Sequence, residues 1–499
     1  MNIFDNIMFG LGVAVNPLNL LYCFLGCVLG TLIGVLPGIG PVATIAMLLP
    51  ITFNLSPIAA LIMLAGIYYG AQYGGSTTSI LVNIPGEASS VVTCLDGYAM
   101  AQQGRAGPAL AIAAIGSFFA GTVATLLIAF FAPPLAEVAF KFSSAEYCSL
   151  IVFGLVAAVV MASGSLLKAI AVVFLGLLLG IVGTDVTSGI KRFTFSIWAL
   201  SDGIEFVAVA MGMFGFAEII RNLELKTKQE ALTSHVHHLM PTRSDIKASW
   251  RPVLRGTVLG SFLGILPGGG AILSSFASYT LEKRLAKDPS RFGKGAIEGV
   301  AGPESANNAG AQMSFIPLLT LGIPPNAVMA LMVGAMMIQG IIPGPQVMTE
   351  RPELFWGLIA SMWIGNLILV VLNLPLIGIW VRLLTVPYRL LYPAILTFCC
   401  IGVYSINNSS FDVILTACFG LVGCFFNKLD CEPAPFLLGF ILGPMVEEHL
   451  RRAMLYSHGD PSVFFTRPIS LVLLIAAALL LFFTIIPTVS RKRRKVFKE

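Results

Sequence analysis

The chain has 499 residues, 57% hydrophobic and 11% charged, with a formal net charge of +5 and a mean hydropathy of +0.88. Soluble domains carry roughly a quarter charged residues, so this composition excludes a soluble globule and indicates an all-α, polytopic membrane protein. The basic residues cluster between apolar runs, so membrane lipid is an expected partner and nucleic acid is not.

The N-terminus, MNIFDNIMFG, lacks a basic n-region, so a cleaved signal peptide is not expected. No lysine or arginine precedes Arg105. Within this stretch "GCVLGTLIGVLPGIGP" sets Pro37, Gly38, Ile39, Gly40 and Pro41 inside an apolar run, and "YYGAQYGGSTTSILVNIPG" follows as a polar, Gly-rich break. Apolar runs near the ~20 residues needed to cross a bilayer recur at 109–131, 148–162, 166–182, 355–380, 390–403 and 469–486. Asp185, Asp202 and Glu205 fall at span ends, where interfacial solvation is expected, and Glu218 pairs with Arg221 at i+3. Residues 221–250 form a polar linker, and its His235, His237 and His238 read as a solvated loop cluster in preference to a metal site. After it come "GTVLGSFLGILPGGGA" and "ESANNAGAQMSFIPLLTLGIPP". Between these two, "FGKG" lacks the spacing and Ser/Thr of a phosphate-binding loop, so ATP hydrolysis is not expected. The basic tail, 491–499, anchors at the inner leaflet. Nine cysteines without zinc-like or disulfide-like spacing read as buried free thiols.

Residues 26–40 align with 256–270 at an offset of 230, with nine of fifteen positions identical, Pro37/Pro267, Gly38/Gly268 and Gly40/Gly270 among them. The chain is therefore an internal duplication, with repeats at 1–220 and 251–490. Arg251 and Arg255 precede the second copy and Lys283 and Arg284 follow it, so both flanks read as cytoplasmic under the positive-inside rule. A re-entrant hairpin fits this, because 256–266 spans roughly 16 Å of helix, about half of a ~30 Å hydrocarbon core. The first copy, 26–36 with 42–53, has no basic flank and is expected to enter from outside, giving two inverted repeats in about 10–12 crossings.

Irregular backbone at membrane depth is tolerated only where it is buried in protein or faces water. At each tip (Pro37 to Pro41, and Pro267, Gly268, Gly269 and Gly270) free helix amides suit an anion and free carbonyls suit Na⁺. Thr44, Ser274 and Ser275 stand just beyond the tips. The polar breaks add Tyr73, Gly74, Gly75, Ser76, Thr77, Thr78 and Asn83 from one half, and Asn307, Asn308 and Gln312 from the other. Candidate Na⁺ positions lie near Gly38, Gly268, Glu304 and Asn308; Glu304 reads equally as a proton or Na⁺ ligand or as a cap of a helix starting near Ser305. A passive channel for small anions is one alternative. An intramembrane enzyme built on "YGGSTTS" is a weaker one, because no apolar span offers a histidine to activate a serine; the chain is not expected to be an enzyme or to hold a cofactor.

"GVLPGIGP", "YYGAQYGGSTTSILVNIPGEASSVVTCLDGYAMAQQGRAGPAL", "GILPGGGA", "GVAGPESANNA", "FIPLLTLGIPPNAVMALMVGA" and "FILGPMVEEHLRRAM" resemble the large membrane subunit of the tripartite tricarboxylate transporters. The resemblance implies a multi-pass secondary transporter of the bacterial inner membrane. It further implies a small membrane subunit and a periplasmic solute-binding protein as partners, a small carboxylate such as citrate as substrate, symport with Na⁺ or H⁺, and movement of the hairpin-bearing region against a scaffold.

Overall fold

The computed structural model describes residues 3–36, 40–162, 165–185, 187–224, 239–266, 270–383 and 388–485. His235, His237, His238 and the basic tail lie outside them. The first unit contains α1 (Ile3–Ala14), α2 (Pro17–Val35), α3 (Pro41–Thr52), α4 (Pro57–Val82), α5 (Ala106–Ala139), α6 (Ser144–Met161), α7 (Leu166–Gly180) and α8 (206–224), the last with a π turn at Met211–Phe216. The second contains α9 (Arg243–Leu263), α10 (Gly270–Leu285), α11 (Glu298–Met313), α12 (Phe315–Leu321), α13 (Ala327–Ile338), α14 (Pro352–Asn373), α15 (Ile377–Leu383), α16 (Tyr388–Asn407), α17 (Ser410–Lys428), α18 (Pro433–Tyr456) and α19 (Pro468–Ile485). By length and composition α2, α5, α6, α14 and α17 can each cross a membrane; α1, α3, α7, α13 and α19 are shorter apolar helices.

Local chemistry sets the helix starts. Proline occupies the first turn of α2, α3, α4, α14 and α18, where its fixed φ helps and its missing N–H costs nothing. Asn16 accepts the Leu18 amide ahead of α2, and Thr242 with Asp245 forms a capping box on α9.

The first arm of each hairpin is longer than expected. α2 has 19 residues and α9 has 21, in place of eleven-residue half-helices, because the apolar pattern runs back past Gly26 and the capping box starts α9 at Arg243. The hairpin itself is present. Gly26, Gly30 and Gly34 of α2 lie against the Met63, Ile67 and Ala71 carbonyls of α4, where an added Cβ would stand 2.3, 2.3 and 2.5 Å from each oxygen. Partner numbers rise together, so α2 and α4 are parallel and α3 returns the chain between them. Gly256, Gly260 and Gly264 of α9 meet the Gly302, Ala306 and Gly310 carbonyls of α11 at 2.2, 2.3 and 2.5 Å by the same measure, and α10 returns there. Small residues every fourth position let the backbones approach this closely, the packing favoured between helices in lipid. Arg255 Nε donates to Glu282 at 2.8 Å across the arms of the second hairpin.

The two units run in opposite directions. Along α4, the Tyr69 ring packs near Phe315 (6.0 Å between ring centres, tilted by 52°) and Ser76 bonds Glu304, so partner numbers fall as α4 advances. A second helical group, α6 to α8 with α17 to α19, packs beside the hairpins. Gly176 and Gly180 of α7 lie on the Phe436 and Phe440 carbonyls of α18, and Gly212 of α8 lies on the Thr416 carbonyl of α17. A two-stranded ribbon, β1 (Gly183–Thr184) and β2 (Lys191–Arg192), leads from α7 towards α8. Asp185, expected to be merely solvated at a span end, is buried and receives Arg451 at 2.9 Å. The Ser188 hydroxyl, the Thr187 amide and Arg451 hold its carboxyl down to about 2 against the pull of desolvation. Glu218 and Arg221 form the expected i,i+3 pair at 3.5 Å. All nine cysteines are free thiols, five of them buried.

Candidate functional site

A cavity of about 470 Å³ lies where the two units meet, within the range of small-molecule sites. Its walls come from equivalent places in the duplication. The start of α3 (Gly40, Pro41, Val42, Ala43) faces the start of α10 (Ala271, Ile272), and Glu87 with Ser89 faces Asn326 with Val328. Glu87 and Asn326 are 239 residues apart, as are Asn83 and Gly322, which end α4 and α12 in the left-handed region at φ 60° and 72°. An Ile-Pro pair follows each of these corners, and Glu87 and Asn326 then open the next helical turn. The remaining wall comes from the second group: Ala158 of α6, Met213 and Arg221 of α8, and the start of α18. The Arg221 side chain is 51% exposed, so the cavity reaches the surface there, on the side from which the linker departs.

Several helix N-termini therefore point into one space. The first-turn amides of α3, α10 and α13 have no acceptor within their own helices, and together they form a partially positive lining. In α13 the Asn326 side chain takes the Met329 amide at 2.9 Å and leaves the amides before it free.

The polar stretches are not breaks. Residues 57–82 are one helix, and 298–321 are two helices separated only by Ser314, so Tyr73, Gly74, Gly75, Ser76, Thr77 and Thr78 are buried helical residues. Their glycines serve close packing, and the chain turns only afterwards, at Asn83 and Gly322. Glu304 lies inside α11, which starts at Glu298, so it does not cap a helix near Ser305. It is 1% exposed and accepts from the hydroxyls of Ser76 (2.5 Å) and Thr93. Asn307 donates to Glu87 at 3.1 Å, and Ser89 touches Glu87 and donates to Gln72. Among the described residues neither Glu87 nor Glu304 has a lysine or arginine partner, and no three His, Cys, Asp or Glu residues gather as a metal cluster.

Of the residues singled out from the sequence, Gly40 and Pro41 line the cavity. Pro37, Gly38, Ile39, Pro267, Gly268 and Gly269 lie outside the described residues. Thr44 and Ser274 turn back to the tips, each bonding the carbonyl four residues earlier, Gly40 at 2.9 Å and Gly270 at 2.7 Å. Ser275 bonds the Pro303 carbonyl at 3.3 Å. Asn308 donates to Ser117 (2.7 Å) and Gln312 accepts from Thr125 (2.6 Å), joining α11 to α5 away from the cavity lining. Sequence reasoning missed Tyr68, Gln72, Glu87 and Asn326, all on the cavity wall. The recurring Ile-Pro followed two or three residues later by a polar helix cap was the available signal for the last two.

The profile of the Tripartite tricarboxylate transporter TctA family matches residues 20–438. An uncharacterized 52.8 kDa protein of Agrobacterium vitis, from the TAR-I ttuC' 3' region, is 59% identical over 499 residues, which is 100% of this chain and 99% of the relative. A second Agrobacterium vitis protein, from the TAR-II ttuC' 3' region, is 62% identical over 240 residues, 48% of this chain and 99% of that relative. No solved structure matches the chain.

Proposed function

The chain belongs to the tripartite tricarboxylate transporter TctA family, and from that premise we propose that it imports a small carboxylate across the bacterial inner membrane by ion-coupled symport. The family places it as a multi-pass membrane subunit that works with a small membrane subunit and a periplasmic binding protein. The observation that carries the reading is the convergence of helix N-termini from two opposed units on one cavity, since amide dipoles favour a carboxylate without a buried basic side chain. Glu87 and Glu304, buried near that cavity without a basic partner among the described residues, support coupling to a cation, Na⁺ or H⁺. The cavity opens between the hairpins and the second group, which supports alternating access by movement of one group along the other.

Citrate leads the candidate substrates. Labelled citrate is offered to proteoliposomes holding the complete complex and its binding protein, with Na⁺ and pH gradients imposed separately. Accumulation above the external concentration under one of them supports symport; mere equilibration under both identifies a passive channel and contradicts it.

A further inference from the structure

Two corners, one in each unit, share a conformation that neither cavity nor hairpin requires. Gln103 ends the short helix Ala99–Gln102, and Gln339 ends α13, with φ/ψ of −83°/8° and −85°/8°. Each is followed by a left-handed glycine, Gly104 at φ 75° and Gly340 at φ 68°, where a side chain would be strained. The closing bonds match: Arg105 N–H reaches the Met100 carbonyl at 2.9 Å, and Ile341 N–H reaches the Met336 carbonyl at 2.8 Å.

The glutamine side chains then do the same thing in opposite directions. Gln103 Nε2 donates to the Lys294 carbonyl at 2.8 Å, in the connection between α10 and α11 at the base of the second hairpin. Gln339 Nε2 donates to the Thr52 carbonyl at 2.7 Å, the last residue of α3 and the base of the first hairpin. Each unit thus holds the hairpin of the other at its base, and because the units are opposed the two bases lie at opposite ends of the hairpin group. The Gln103 side is reinforced. Asp96, fully buried, accepts the Gly293, Gly295 and Ala296 amides at 2.8–2.9 Å and the Tyr279 hydroxyl at 2.9 Å, and Arg105 pairs with Asp245 at the start of α9. These contacts lie within the hairpin-bearing group, whereas the cavity opens past Arg221 of the other group.

We propose that Gln103 and Gln339 are paired positioning residues, clasps that fasten each hairpin base to the opposite unit so that both hairpins and the cavity floor travel as one body. The inference rests on the alternating-access reading above, and it places the change of access at the boundary with α6, α8 and α18 while both hairpin bases stay shut throughout the cycle. It is tested in the full-length chain within its complex, carrying cysteine pairs Gln103→Cys with Lys294→Cys, or Gln339→Cys with Phe53→Cys, each closed by a short thiol cross-linker; single-cysteine variants control for native thiols. Cross-linked protein should keep citrate uptake within about twofold of the untreated variant, as a rigid-body movement requires. Loss of uptake on closing either pair, with the untreated variant active, overturns the proposal, because that base must then part in every cycle. Spin-label distances between the exposed neighbours Gln102 and Lys294, and between Met337 and Phe53, which leave both glutamines in place, give a readout independent of transport when taken with and without citrate. Distances unchanged by citrate in a chain that carries it, and unchanged between opposite Na⁺ or pH gradients in one that does not, support the clasps, the second case removing only the substrate reading; a distance that changes under either condition overturns them.

Discussion

Gly30 and Gly260 hold equivalent places, and at each an added methyl group would meet a backbone oxygen at 2.3 Å, from Ile67 and Ala306. Backbone cannot swing aside as a side chain can, so Gly30→Ala and Gly260→Ala should each destabilise the protein by about 1–3 kcal/mol despite the better helix propensity of alanine. Gly12 in α1 has open space beside it, and Gly12→Ala should raise the thermal midpoint in detergent while the other two lower it. Glu304 gives the residue-scale test of coupling. Glu304→Gln preserves a partner for Ser76 and Thr93, so folding should hold while gradient-driven accumulation is lost; Glu304→Ala should also cost about 1–3 kcal/mol, because two buried hydroxyls lose their acceptor. A folded Glu304→Gln that accumulates substrate normally removes this carboxylate from the coupling reading. The glycine spacing could be read from the sequence, but that "YGGSTTS" is a packed helix could not, since glycine serves close packing and chain breaks alike. Glu87 was hidden for another reason: its importance arises from Asn307, a contact 220 residues away in sequence.

At the scale of elements, the hairpins were legible because two independent signals agreed, a duplicated Pro-Gly tip and basic residues on both flanks of one copy. The lengths of the arms were not, because nothing in an apolar run marks where a helix of eleven residues should give way to one of 19. In the second hairpin the Glu282 side chain is 2% exposed and Arg255 is its partner across the arms. Arg255→Ala would strand that carboxylate, with an expected loss on the order of 2 kcal/mol, reduced from the fully buried case by the 37% exposure of Arg255. Changing both residues to Gln should recover part of it, measured by thermal unfolding. The same geometry places Arg251 and Arg284, both exposed, at the same end of the two arms, so single cysteines at these positions should react with an impermeant thiol reagent from the same side of the membrane. Labelling from opposite sides would show that α9 and α10 together make a single net crossing, and would contradict the re-entrant hairpin.

For the whole molecule, the duplication explains why one cavity has matched walls: each unit supplies the start of a hairpin's second arm and a post-helical cap, the caps Glu87 and Asn326 being 239 residues apart in sequence. In the sequence the opposed sense of the units rests on lysines and arginines alone; in three dimensions it follows from the falling partner numbers along α4. The second helical group left no comparable trace, because the glycines that pack α7 on α18 and α8 on α17 carry no duplicated motif. On the proposed function, a carboxylate crosses through the space between the starts of α3 and α10. The most direct measurement is citrate accumulation in proteoliposomes holding the complex, compared between the native chain and Ala271→Trp, which fills the cavity beside the second tip. Accumulation against the gradient is expected from the native protein and is expected to be lost in a variant that folds and assembles normally; undiminished accumulation by that variant would contradict this route.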